Sequence, residues 1–269
     1  MRYFCLASGS KGNACVIESN GYLLQIDMGI SKRQEAKDLE NWGLHFEDIS
    51  TVLITHNHSD HIRYIDAFEQ KKVYFSNGTL PLEKEDLTSG NYSSFLRKTY
   101  FDDHILTPYQ SYQFGPFTCT TLATSHDAPN PMGFVLDDGV EKLVYMTDTG
   151  YISERNMSYM KNADYYIIES NHDVRMLFAT NRPQALIMRI LGDEGHLSNE
   201  DAAMYLSMLI GPKTKEIVLA HLSEEANSEE KALDSFKKVL SKRHIHFQNI
   251  DIKAANQRIP VQGGTKVSL

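Results

Sequence analysis

The run Thr55-His56-Asn57-His58-Ser59-Asp60-His61 sets three imidazoles and one carboxylate within the six residues from His56 to His61. It follows Thr51–Thr55, an apolar and β-branched stretch that reads as a strand. Nitrogen and oxygen donors at this density suit divalent ions. A solvated polar loop is the plainer alternative, but it needs no stiff strand in front of it. The fold must therefore hold these donors at a strand end and carry further ligands to meet them.

Three later strand-like stretches also end on potential ligands. Thr118–Ser125 leads to His126, Leu143–Thr147 to Asp148, and Glu216–Ala220 to His221. Strand ends are rigid, and sites are commonly assembled just beyond them. The chain opens with strands Arg2–Ala7, Cys15–Ser19 and Tyr22–Ile26, the last two joined by Asn20-Gly21, whose residues both tolerate positive φ. Ser31 with Gln34 has the spacing of a helix start, and Gly43 is a natural stop. A second hairpin, Gly133–Leu136 with Lys142–Met146, turns at Asp138-Gly139. Val16–Gly29 and Phe134–Gly150 share one order: strand, Asn/Asp-Gly turn, strand, then Asp-x-Gly. The short repeat suggests two similar sheet-and-helix halves packed face to face. Toward the end, Ser198 with Asp201 predicts a helix to about Ile210. Asn227 with Glu230 predicts another, with Ala232, Leu233, Phe236, Val239 and Leu240 on one face. Residues Ser76 to Gln113 suggest only short helices and loops.

No linker or low-complexity tract divides the 269 residues, so one domain is expected over residues 1–269. With 41% hydrophobic and 23% charged residues the composition is that of a globular protein, and no apolar stretch is long enough to span a bilayer. The start, Met1-Arg2-Tyr3-Phe4-Cys5, has no signal-peptide organisation, and three cysteines without Cys-x-x-Cys spacing suggest neither a disulfide framework nor a zinc ribbon. A cytoplasmic location without membrane insertion is expected. The formal charge of -8 argues against avid nonspecific nucleic-acid binding. It leaves room for an enzyme that meets a polyanion at a metal-rich site, since bound dications are themselves large positive charges.

The His-x-His-x-Asp-His motif at His56–His61 resembles the signature of the metallo-β-lactamase superfamily. That resemblance implies an α/β fold, the metallo-β-lactamase-like αβ/βα four-layer sandwich. It implies two divalent metal ions, one held by His56, His58 and His126, the other by Asp60, His61 and His221, with Asp148 bridging them. Asp27 matches an early structural aspartate that supports the metal loop. Two such ions ionise a shared water near neutral pH, hold it for in-line attack and stabilise charge building on the substrate. Asp60 could also accept a hydrogen bond from the nucleophile.

Two segments resemble the tRNA 3′-processing and phosphodiesterase branch more narrowly. In Gly195-His196-Leu197-Ser198 the implied role of His196 is to help the leaving oxygen depart, before a helix whose N-terminus favours an anion. In Glu169-Ser170-Asn171-His172, Glu169 could orient His196 and His172 could touch substrate. The segments Ala7-Ser8-Gly9-Ser10-Lys11-Gly12-Asn13, Thr124–Ala128, Tyr145–Gly150 and His221–Asn227 resemble the YycJ family, also called WalJ or VicX. This resemblance implies a 5′-to-3′ exodeoxyribonuclease with DNA as substrate, a place in mismatch repair and a functional link to a cell-wall two-component system. Ser8 and Asn13 are then expected at the substrate. The glycine-rich loop lacks a Walker ending and by itself suggests only a tight turn.

The chain departs from many relatives after His61, where bulky Ile62-Arg63-Tyr64-Ile65-Asp66 replaces a glycine-rich turn. The 73 positions from Asp148 to His221 leave no room for a β-CASP cap, and no tRNA-gripping arm is visible. Lys11, Lys32, Arg33, Arg155, Arg175 and Arg182 are candidate phosphate contacts. Alternatives are a small-substrate hydrolase of thioesters, lactones or cyclic phosphodiesters, and a regulatory accessory of a two-component system. The ligand types suit Zn2+ or Mn2+; oligomeric state is not legible in the residues.

Overall fold

A computed structural model describes residues 1–68, 72–79 and 104–265. Apolar residues alternate along most strands between two buried faces, so both faces of each sheet must be covered. The first sheet has the order β14-β1-β2-β3-β4-β5-β6, built from β1 (Arg2–Ala7), β2 (Ala14–Ser19), β3 (Tyr22–Ile26), β4 (Ile49–Leu53), β5 (Val73–Ser76), β6 (Ile105–Leu106) and β14 (Val261–Gly264). The second has the order β13-β12-β11-β10-β9-β8-β7. Its strands are β7 (Ser111–Phe114), β8 (Phe117–Ala123), β9 (Met132–Asp137), β10 (Lys142–Met146), β11 (Tyr165–Glu169), β12 (Glu216–Ala220) and β13 (Asp251–Ala254).

Tyr3, Cys15, Ile17 and Leu24 of the first sheet meet Phe117, Phe134, Tyr145 and Ile167 of the second in a common core. Outside the first sheet, Phe4, Val16 and Val52 pack with Leu39 of helix α1 (Lys32–Glu40). Outside the second, Val144, Tyr166 and Leu219 pack with Leu206 and Phe236. Those two residues belong to α6 (Asn199–Leu209) and α7 (Glu229–Lys242), which follow α3 (Glu154–Met160), α4 (Val174–Phe178) and α5 (Gln184–Leu191) in the chain. Helix, sheet, sheet and helix form the four-layer αβ/βα sandwich.

The repeat in the sequence corresponds to a repeat in topology. Hairpin β2–β3 is followed by parallel β4, and hairpin β9–β10 by parallel β11. At the first turn Asn20 and Gly21 have φ of 51° and 78°, the mirror-image geometry that matches strand twist. Asp27 and Asp148, the aspartates of the two Asp-x-Gly segments, both adopt positive φ, 62° and 55°. The glycines that follow them permit close backbone approach. A Cβ on Gly29 would lie 1.7 Å from the Asp60 carbonyl oxygen, and one on Gly150 would lie 2.1 Å from that of Asp193.

The helix starts at Ser31 and Ser198 occur as expected, each hydroxyl accepting a backbone N–H three residues on. The start at Asn227 is displaced: Ser228 caps α7 by accepting from Lys231 N. Asn227 is buried, and its side-chain N–H groups go to the carbonyls of Ser170 and Asn171 and to Asn199 Oδ1. β4 and β8 stop short of the expected Thr55 and Ser125. There side chains replace the ladder, with Thr55 N donating to Asp27 Oδ1 and Ser125 N to Thr149 Oγ1. Within 76–113, the described residues add β6 and β7 where only helices and loops were expected; residues 80–103 lie outside the description.

Gly29→Ala is expected to cost about 1–3 kcal/mol in urea unfolding, because the clash is with backbone; wild-type stability would refute it. Glu35 of α1 is buried, and neither carboxylate oxygen accepts a hydrogen bond. Burial pushes it up to about 8, with neighbouring Gln25 opposing only in part. Between the unfolded value of 4.5 and about 8, the folded protein keeps a proton that the unfolded chain releases. Stability therefore falls as pH rises through this window. Glu35→Gln is expected to remove that fall, measured by urea midpoints from pH 5 to 8; parallel pH profiles in the two proteins would refute it.

Candidate metal centre

Parallel β10, β11 and β12 end at the same edge of the second sheet, with Ile168 opposite Met146 and Ala220 opposite Glu169. Asp148, Glu169 and His221 emerge there. From the first sheet, β3 delivers Asp27, and β4 leads through Thr55 to His56, His58 and the short helix α2 (Ser59–Ile62), which carries Asp60 and His61. The seam between the sheets is where these residues meet.

His56, His58 and His126 each place a ring nitrogen within 4.8 Å of the others, and a second such group joins Asp60, His61 and His221. Asp148 connects them: its Oδ2 is 3.4 Å from His61 Nε2, while its Oδ1 is 3.4 Å from His221 Nε2 and 3.9 Å from His126 Nε2. His58 Nδ1 and His126 Nε2 are 3.3 Å apart. His56 Nε2, His221 Nε2 and Asp148 Oδ2 are buried without a hydrogen-bond partner. Such atoms are costly unless something coordinates them, and imidazole and carboxylate donors at this spacing fit divalent metal ions.

The outward-facing ring nitrogens are held as metal-binding histidines require. His61 Nδ1 is 2.7 Å from Asp27 Oδ2, and His126 Nδ1 is 3.1 Å from the Gly195 carbonyl. His56 Nδ1 is 3.0 Å from Thr55 Oγ1, and His221 Nδ1 is 2.9 Å from Glu169 Oε1. The same Glu169 oxygen is 2.8 Å from His196 Nδ1, while Oε2 accepts backbone N–H groups of Thr149 and Leu197. Burial alone would raise Glu169, but the His196 and His221 imidazoles outweigh it and hold the carboxyl at about 2. Burial would likewise lower His61 and His221. The Asp27 and Asp148 carboxylates instead raise His61 to about 10, and Asp148 and Glu169 raise His221 to about 9. For His56 burial prevails, and its value lies well below the usual one. The local field thus favours positive charge between the carboxylates.

The structure brings together His56, His58, Asp60, His61, His126, Asp148, His221, Glu169 and His196. Ser8 and Asn13 are 4% and 0% exposed, buried against the ligand-bearing segments of both sheets. His172 is 1% exposed with neither ring nitrogen bonded, and burial lowers it to about 4, so it is neutral at pH 7. Among the candidate phosphate contacts, Lys11 pairs with Glu224, Lys32 with Glu47 and Arg182 with Glu225, while Arg155 lies over the Tyr109 ring. Sequence reading missed Thr55, whose hydroxyl touches Asp27, His56 and His61, and Asn171, whose amide donates to the His221 carbonyl. Position beside a ligand was the only sequence signal for Thr55; for Asn171 there was just its place in the Glu169–His172 segment.

The sandwich and its donors define a metal-binding hydrolase fold, and the Beta-lactamase superfamily domain matches residues 25–222, so the chain belongs to that family. Within it the chain is a YycJ/WalJ-type member. It is 33% identical over 244 residues to Exodeoxyribonuclease YycJ of Bacillus anthracis, covering 90% of each chain. It is 36% identical over 236 residues to Exodeoxyribonuclease WalJ of Streptococcus pneumoniae, covering 86% of this chain and 85% of that one. The metallo-beta-lactamase fold protein YhfI of Bacillus subtilis shares the fold with TM-score 0.67 and 18% identity, over 97% of this chain and 99% of YhfI.

Asp27→Asn keeps the size of the side chain but removes the anion behind His61. It is expected to lower metal affinity about 10- to 100-fold, read by chelator competition; unchanged affinity would rule out that support.

Proposed function

We propose that this chain, acting as one domain over residues 1–269, is a two-ion phosphodiesterase that removes nucleotides from DNA in the 5′-to-3′ direction. The observation that carries the reading is the Glu169–His196 pair beside the donor clusters, in a chain 33–36% identical to proteins named exodeoxyribonucleases. His56, His58 and His126 would hold one ion, Asp60, His61 and His221 the other, and Asp148 would bridge them. When bound, Zn2+ or Mn2+ ions supply an ionised water and positive charge that stabilises the phosphodiester in the transition state.

The chain's own residues do the rest. Asp60 is 19% exposed at its side chain, so its carboxylate can accept a hydrogen bond from the nucleophile and orient it. His196 has its Nδ1 committed to Glu169, and 17% of its side chain is exposed. The opposite ring edge can then give a proton to the departing oxygen, with Glu169 fixing the orientation of the ring. A cleft of about 550 Å³ borders His172 and Ser198 between α6, α7 and α4 (Val174–Phe178). Arg175, Lys231 and Lys238 line it together with Asp173, Glu200 and Asp234, so its basic groups are balanced by carboxylates. Among the described residues, no helix is long and apolar enough to cross a membrane.

The decisive experiment uses end-labelled duplex DNA and metal-stripped protein resupplied with Zn2+ or Mn2+. Wild type is expected to release nucleotides from the 5′ end, and His58→Ala to release none. His196→Ala is expected to keep its metal while kcat falls about 10²- to 10⁴-fold. Near-normal turnover in that variant would remove the assigned role. Cleavage of bis-p-nitrophenyl phosphate without any cleavage of DNA would move the substrate class to small phosphodiesters.

A further inference from the structure

The loop between β1 and β2 reaches ligands from both sheets. Ser8 Oγ accepts the backbone N–H of His221 at 2.8 Å. At the other end, Asn13 N donates to the Asp60 carbonyl at 2.8 Å, and the Asn13 carbonyl accepts from Gly29 N at 2.8 Å. The amide of Asn13 can face only one way. Its Oδ1 accepts from Gly9 N at 2.8 Å and its Nδ2 donates to the Gly9 carbonyl at 3.1 Å. The NH2 group is thereby directed to the centre, 3.4 Å from Asp60 Oδ2 and 3.0 Å from His61 Nε2. Asn13 is fully buried, so water does not compete for these contacts. Among the described residues, no hydrogen bond from this loop reaches His56, His58 or His126.

We infer that Asn13, assisted by Ser8, is a positioning residue for one ion site alone: it sets the affinity of the Asp60–His61–Asp148–His221 site and leaves the His56–His58–His126 site unchanged. The inference rests on the two-ion reading above. With His61 Nδ1 on Asp27, the Asn13 N–H faces the inward lone pairs of His61 Nε2 and Asp60 Oδ2, holds both side chains aimed at the centre and yields those lone pairs when an ion binds, so less side-chain freedom is lost in binding. Ser8 does the same for His221 through its backbone. Partners one bond removed from a metal typically alter its affinity by 10–100-fold.

The test is a stepwise titration of metal-stripped, full-length protein with Zn2+ against a chromophoric chelator, repeated with Co2+ to follow its visible absorption. Wild type is expected to take up two ions. Asn13→Ala should weaken one of the two by about 10- to 100-fold and leave the other unaltered, with a wild-type near-ultraviolet circular dichroism spectrum. Ser8→Ala should weaken the same site by a smaller factor. Unchanged affinities, or an equal loss at both sites, would overturn the inference. If Asn13→Ala does not fold, Ser8→Ala decides by the same criterion. A wild-type protein that takes up fewer than two ions would instead overturn the two-ion reading, a failure distinguishable from that of Asn13.

Discussion

A histidine aimed into a buried centre must dispose of its other ring nitrogen, because a buried N–H without an acceptor costs about 1–3 kcal/mol. That requirement organises the seam between the two sheets. His61 is backed by Asp27, His56 by the Thr55 hydroxyl, His126 by the Gly195 carbonyl and His221 by Glu169. Each acceptor lies at or just past a strand end or at a tight backbone crossing. The partners also choose the tautomer, turning the opposite nitrogen toward the centre.

Backbone geometry serves the same end. Asp27, Asp148 and His221 all have positive φ, which is uncommon outside glycine. Each sits where the chain leaves a strand and must turn its side chain into the seam rather than continue the pleat. Strained positions of this kind persist only where surrounding contacts hold them. Asp27 is held by Thr55 and His61, while the backbone N–H of His221 is held by Ser8. The matching placement of Asp27 and Asp148 in the two halves gives one aspartate to support and the other to the centre. One topology has thus been put to two uses.

Glu169 joins the donor set to the residue assigned to the leaving group. One of its oxygens faces both His196 and His221, and the other holds the backbone on either side. His221 and His196 are thus positioned by one carboxylate oxygen. The cleft bordered by His172 and Ser198 is lined by residues of α4, α6 and α7.

The donors themselves were legible in the residues, because their identities and their places after apolar strands are local properties. The strand–turn–strand–Asp-x-Gly repeat was legible for the same reason, and it carried the two-half architecture with it. Helix starts at Ser31 and Ser198 could be read because capping involves residues three apart. Asn227 was misread as a cap because its partners, Ser170, Asn171 and Asn199, are distant in sequence, and a buried amide network overrides a local signal. Ser8 and Asn13 were expected at substrate through the family resemblance alone, since the glycine-rich loop by itself suggests a tight turn; their burial against the ligand segments is not a local property. The sequence alone thus determined which donor groups are present and which strands deliver them. Tertiary structure decided which acceptor stands behind each imidazole, which groups are sealed from water and which face a cleft. Those are relations between segments tens to hundreds of residues apart, set by how two sheets pack rather than by any local pattern.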